Sequence, residues 1–204
     1  MQIRNGWYWP DDDIHSYDAI FKELFKVELM DKYVKEKNVV IQAGGNCGVF
    51  AKEFAKTWGA VYTFEPNPEN FNCLVGNCPD SNIIKFQAAL GANHEMVEVG
   101  QSADHLPNNC GAYQVIGGGI TPTMMIDDLE LKKCDLIFLD IEGYELFALQ
   151  GGRKTIKEFH PVIVIENKQV PLTYDIEPKQ VTDYLIAEFG YKIEERVQRD
   201  VILI

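Results

Sequence analysis

Val39-Val40-Ile41-Gln42-Ala43-Gly44-Gly45-Asn46-Cys47-Gly48 reads as a β-branched strand running into a glycine turn, and this stretch decides the fold. Helical spacing follows it, with Phe50, Ala51, Phe54, Ala55 and Trp58 before Gly59. Val61-Tyr62-Thr63-Phe64 gives a second strand, closed by Glu65-Pro66, with Asn67 as N-cap and Pro68 at the first position of the next helix. Strand, turn, helix and strand make a βαβ unit. In such units the strands lie parallel, helices cover the sheet, and ligands bind at the carboxyl ends of the strands.

Downstream, the pattern predicts a third strand over 83–86, a short insertion strand over 97–99, and a buried fourth strand over 135–140 followed by a helix from about Tyr144. A fifth strand covers 161–166. A helix over 179–189 lies between Pro178 and Gly190, and segments 191–197 and 201–204 flank Gln198-Arg199-Asp200 as a terminal hairpin. Gly117-Gly118-Gly119 marks a mobile or tightly turned loop. Upstream, Tyr17, Ile20, Phe21, Leu24 and Phe25 give one amphipathic helix. Residues 1–16 carry Trp7-Tyr8-Trp9 and Asp11-Asp12-Asp13 without a period and read as an arm or lid. Those aromatics could cover a cofactor or sugar ring, or pack on the sheet edge. The division is thus an arm and helix over 1–37 and a ligand-binding α/β domain over 38–204.

A chain of 204 residues buries a sizeable core without disulfides or a structural metal. Its five cysteines, Cys47, Cys73, Cys78, Cys110 and Cys134, are odd in number and hold no CxxC pair, so reduced thiols are expected rather than a disulfide framework or zinc site. No apolar run reaches membrane-spanning length and the first residues lack the apolar core of a signal peptide, so a cytoplasmic protein without a membrane partner is expected. The formal charge of -12 repels phosphate backbones, which argues against nucleic acid. His15, His94, His105 and His160 show no metal-binding spacing.

The glycine turn opens a helix, where backbone N–H groups can approach a ligand closely. A nicotinamide fingerprint needs glycines at i, i+2 and i+5, and from Gly44 those places hold Gly44, Asn46 and Val49, which disfavours an oxidoreductase. Glu65 ends the second strand, where an acidic side chain accepts hydrogen bonds from two ribose hydroxyls. Together they imply an adenosine-containing ligand. In Leu139-Asp140-Ile141-Glu142-Gly143-Tyr144-Glu145 the carboxylates of Asp140, Glu142 and Glu145 are expected to point toward one crevice.

The succession VVIQAGGNCG at 39–48, FEPNPENF at 64–71, QAALG at 87–91, MMIDDL at 124–129, DLIFLDIEGYE at 135–145 and PVIVIENK at 161–168 resembles the motif order of the FkbM-family methyltransferases. The resemblance covers residues 38–168. It implies a doubly wound, mostly parallel Rossmann-like sheet with an antiparallel C-terminal hairpin strand. It also implies that Gln42, Gly44, Gly45, Asn46, Gly48, Glu65, Pro66, Asn67, Ala88 and Asp140 hold S-adenosylmethionine, and that the acceptor is a small-molecule hydroxyl, on a sugar for example. The chain departs from the family at Gln42, where Asp is usual. Gln keeps an acceptor for the methionine ammonium and loses the charge, which predicts weaker binding or a non-catalytic relative.

Methyl transfer to a hydroxyl requires an in-line oxygen relieved of its proton. Asp140, helped or replaced by Glu142, is the expected general base. The same carboxylates with Glu166 could instead hold a divalent metal that lowers the hydroxyl pKa.

Overall fold

The structure, a computed structural model, describes residues 1–101, 107–166, 174 and 176–204. The chain opens with a hairpin, β1 (Gln2–Arg4) and β2 (Trp7–Trp9), turned at Asn5-Gly6 with both residues at positive φ. Helices α1 (Ser16–Lys22) and α2 (Phe25–Asp31) follow. The expected single helix is broken between them, because the backbone makes i to i+3 bonds from Ile20 through Val27. The break lets Lys26 turn inward.

Next come β3 (Val39–Ala43), α3 (Val49–Ala55), β4 (Ala60–Phe64), α4 (Pro68–Asn77) and β5 (Ile83–Phe86). Asn67 caps α4 as expected, accepting from the Glu69 and Asn70 N–H groups. A smaller sheet is built from β6 (Ala89–Leu90), β7 (Met96–Gln101), β8 (Tyr113–Gly118) and β9 (Thr121–Met124), in the order β6-β9-β7-β8. The expected insertion strand lies within β7. Gly117 and Gly118 end β8 instead of forming a loop, and the turn into β9 falls at Gly119-Ile120.

After a 3₁₀ turn at Ile126–Leu129 the chain forms β10 (Leu136–Leu139), α5 (Glu145–Gln150), α6 (Arg153–Phe159), β11 (Val162–Glu166), α7 (Pro178–Phe189), β12 (Ile193–Val197) and β13 (Asp200–Leu203). The large sheet runs β12-β13-β11-β10-β3-β4-β5. β5, β4, β3, β10 and β11 are parallel, and β13 pairs antiparallel with β11 and with β12, giving the expected reversed hairpin.

Alternation along these strands divides the core. Ile41, Ile137, Leu139, Ile163 and Ile165 pack with Leu149, Ile156 and Leu185 on one face, and Val40, Leu136, Phe138, Val162 and Val164 pack with Met30, Phe54 and Trp58 on the other. The strand order reverses between β10 and β4, on either side of β3. A doubly wound sheet opens its ligand crevice at such a switch point.

Candidate functional site

Strand register assembles the site. β3 and β10 pair Ala43 with Leu139, so Gly44 and Asp140 leave the sheet side by side, and the Asp140 N–H donates to the Ala43 carbonyl at 3.1 Å. Gly44 has φ +83°, and a Cβ there would lie 2.0 Å from the Asp140 carbonyl oxygen, so only glycine permits this approach. β10 and β11 pair Leu139 with Ile165, which sets Glu166 beside Asp140. β4 delivers Glu65 beside the glycine turn, where Gly45 N–H donates to the Phe64 carbonyl at 2.8 Å.

These residues line a cavity of about 280 Å³ at the carboxyl ends of the strands. Of the site residues expected from sequence, Gly44, Gly45, Asn46, Glu65, Pro66, Ala88, Asp140 and Glu142 line it. Gln42, Gly48 and Asn67 lie behind the wall. Gln42 is fully buried; its Nε2 donates to the Gly44 carbonyl at 2.7 Å, and its Oε1 accepts from the Thr63 hydroxyl. The amide thus ties the turn to β4, in contrast to the direct ligand contact expected of it. Gly48 is the left-handed N-cap of α3 and packs against Cys78, and Asn67 caps α4.

Glu65 is buried and accepts from the N–H groups of Asn46 at 2.7 Å and Asn67 at 2.8 Å, joining the ends of two turns. Burial pushes its pKa up to about 7 against the effect of those bonds. Glu145 does not share the crevice as expected. Its Oε1 turns back and accepts from the Ile141 N–H at 3.2 Å and the Gly143 N–H at 3.3 Å, and burial raises its pKa to about 7. It braces the loop on which Glu142 sits at φ +54°. Glu166 takes the third place: one carboxylate oxygen from each of Asp140, Glu142 and Glu166 lies within 4.8 Å of the others. Arg199, from the terminal hairpin, reaches Glu166 at 3.2 Å.

Sequence reading missed a further wall, which comes from His15 at the start of α1, from Ser16, Ile20 and Glu23, and from Cys110, Gly111, Tyr113, Gln114 and Val115. Buried Asp13 fixes both segments, accepting from Trp9 Nε1, Ser16 N–H and hydroxyl, and Cys110 N–H. Trp9 is fully buried among Tyr17, Cys47, Val49, Cys73 and Cys110, so it packs behind this wall instead of covering a ligand or the sheet edge. Asn46 and Asn70 both donate to the Cys110 carbonyl at 2.8 Å. That leaves Asn70 Oδ1 buried in the cavity wall without a partner, and Gln114 Oε1 is in the same position. All five cysteines are free and buried. His94 pairs with Asp128 and His160 stacks on Tyr191, while His105 lies outside the described residues. No described helix is long and apolar enough to cross a membrane.

The family model of the methyltransferase FkbM domain matches residues 42–193. Hexuronic acid methyltransferase AglP of Haloferax volcanii is 24% identical over 165 residues, covering 78% of this chain and 66% of that protein. Among solved structures, methyltransferase FkbM from Methylobacillus flagellatus superposes with a TM-score of 0.57 at 20% identity, over 82% of this chain and 43% of that one. Precorrin-6y C5,15-methyltransferase from Geobacter metallireducens gives 0.53 at 15% identity, over 97% and 91%. The fold is therefore that of class I methyltransferases. The chain spans less than two thirds of the AglP and Methylobacillus proteins.

Proposed function

Because the chain belongs to the FkbM methyltransferase family, we propose that it moves a methyl group from S-adenosylmethionine to a hydroxyl of a small molecule, a sugar foremost. The observation that carries this reading is the meeting of the glycine turn, Glu65 and the Asp140–Glu142–Glu166 cluster in one cavity at the switch point. Glu23, Glu65, Asp140, Glu142 and Glu166 give its lining an acidic character that suits a cationic sulfonium and opposes the diphosphate of a nicotinamide dinucleotide. The unpartnered oxygens of Asn70 and Gln114 fit a ligand that donates hydrogen bonds. The name of AglP supports a sugar acceptor. A cytoplasmic setting belongs to the same proposal and rests on the five free thiols.

When bound, S-adenosylmethionine supplies an activated methyl group. Gly44, Gly45 and Asn46 would hold its methionine portion, Glu65 its ribose hydroxyls, and Pro66 and Ala88 its base. Gln42 would act through the turn it braces. Asp140 would take the acceptor's proton as the oxygen–carbon bond forms and the carbon–sulfur bond breaks, its electron pair returning to sulfur. Glu142 flanks that position. A second reading rests on the carboxylate cluster: three hard oxygen donors so close together fit a divalent cation that lowers the hydroxyl pKa.

Calorimetry with S-adenosylhomocysteine and NAD tests the cofactor. The first should bind, the second should not, and Glu65→Ala should weaken the first by about 1.5–3 kcal/mol. Binding of NAD alone would overturn the reading. Asp140→Asn should slow labelled-methyl transfer by roughly 10²–10⁴-fold. If that loss and the wild-type rate are both indifferent to chelator and added magnesium, Asp140 is the base; a wild-type rate that chelator abolishes and magnesium restores assigns the metal.

A further inference from the structure

A second cavity, of about 450 Å³, adjoins the first, and Tyr144 and Val115 line both. The first cavity lies at the small end of the ~300–1,000 Å³ range of ligand sites, so a nucleoside cofactor leaves little room in it for an acceptor. The second supplies that room. Tyr144 follows Asp140 and Glu142 in one loop, so a molecule seated against its ring lies next to those carboxylates.

The lining of the second cavity defines what it takes. Three rings meet there: Tyr144 and Phe147 have centroids 4.6 Å apart, and Tyr174 stands edge-on to Tyr144 at 5.2 Å. Opposite them is β8, an edge strand whose Gly117 and Gly118 have open space where a side chain would stand. Asn93, Glu95 and Gln150 add amide and carboxylate groups, and no Lys, Arg or His lines this cavity among the described residues. Aromatic faces beside hydrogen-bonding amides and bare backbone suit a pyranose ring, whose faces are apolar and whose rim carries hydroxyls. A carboxylate or phosphate on that ring would meet Glu95 in the second cavity and the Asp140, Glu142 and Glu166 carboxylates in the first, where Arg199 is already paired with Glu166.

We propose that the second cavity is the acceptor subsite and that it takes an uncharged saccharide stacked on Tyr144 and Phe147. This rests on the methyltransferase reading above and adds the place and charge of the acceptor. The test titrates the full chain, saturated with S-adenosylhomocysteine, with matched p-nitrophenyl glycosides and uronides of the gluco, galacto and manno series, read by saturation-transfer NMR and calorimetry. At least one neutral glycoside should bind, tenfold or more tighter than its uronide. Phe147→Ala should weaken it about tenfold, since an aromatic partner is lost, with S-adenosylhomocysteine affinity unchanged. Gln150→Arg should bring the matching uronide up to the neutral sugar's affinity. The proposal is overturned if the uronides bind as tightly as the glycosides, if Phe147→Ala leaves glycoside binding unaltered, or if the complex binds neither. Failure of S-adenosylhomocysteine itself to bind would instead overturn the cofactor reading.

Discussion

Glu65 has a protonation equilibrium that bears on both folding and binding. Burial lifts its pKa from 4.5 to about 7, and the same happens at Glu145. An acid whose folded pKa exceeds its unfolded one holds its proton more tightly in the native state. Each carboxyl therefore contributes stability that is fully present below about pH 4.5 and is lost as pH rises through about 7. The loss is at most about 3 kcal/mol per group. Thermal unfolding of the ligand-free protein from pH 4.5 to 8 should show a falling Tm, and Glu65→Gln should remove part of that slope. An unchanged slope in this variant would show that Glu65 titrates normally. Binding has the opposite sign: a ribose diol needs the ionised acceptor, so affinity for S-adenosylhomocysteine should decline below pH 7 in the wild type and stay level in Glu65→Gln.

The loop between β10 and α5 shows how an element sets the posture of the residues it carries. Glu145 grips the Ile141 and Gly143 N–H groups on either side of Glu142. In Glu145→Leu those two donors lose their acceptor, so kcat should fall while S-adenosylhomocysteine affinity, set by the glycine turn and Glu65, holds. Glu145→Gln keeps a carbonyl acceptor and should restore kcat. Equal loss in both variants would mean that the charge matters, not the brace. The sequence made much of this level readable, because strands buried on both faces spell apolar runs. The stretches at Val39, Val61 and Leu136 stand close to where they were expected, and so does the Asn67–Pro68 helix start. It was less informative where tertiary contact overrides local pattern. β1 and β2 have three residues each, too few for an alternation, and Asn5-Gly6 was their one turn signal. The resemblance makes Gln42 a ligand contact because the family carries Asp there, yet the Gln42 amide is spent on the Gly44 carbonyl and the Thr63 hydroxyl. Glu166 joins Asp140 and Glu142 as the metal alternative anticipated, through the register of β11 against β10, whereas Glu145 turns away to bond the N–H groups of its own loop, a choice that residue type alone does not decide.

At the scale of the whole molecule, the two ends of the chain meet at the site. Lys26 of α2 reaches Asp200 of β13 at 2.7 Å with both side chains buried, and Glu23 and Arg199 beside them line the cavity. Removing one partner of such a pair leaves an uncompensated charge, so Lys26→Met should cost about 3–5 kcal/mol in urea unfolding. Adding Asp200→Leu should recover most of that. A small effect of the single variant would mean that water reaches the pair. This closure also has a consequence in time. A polypeptide leaves the ribosome from its N-terminus, so the glycine turn, Glu65 and the Asp140 loop emerge while Arg199 and Asp200 are still unsynthesised. Until they emerge, Lys26 has only Glu23 as a carboxylate partner among these residues, although Val27 and Met30 of the same helix already pack on the inner strands. Chains truncated before Asp200 should therefore hold the glycine turn, Glu65 and the Asp140 loop with Lys26 incompletely paired, and bind S-adenosylhomocysteine less tightly than the full chain in calorimetry.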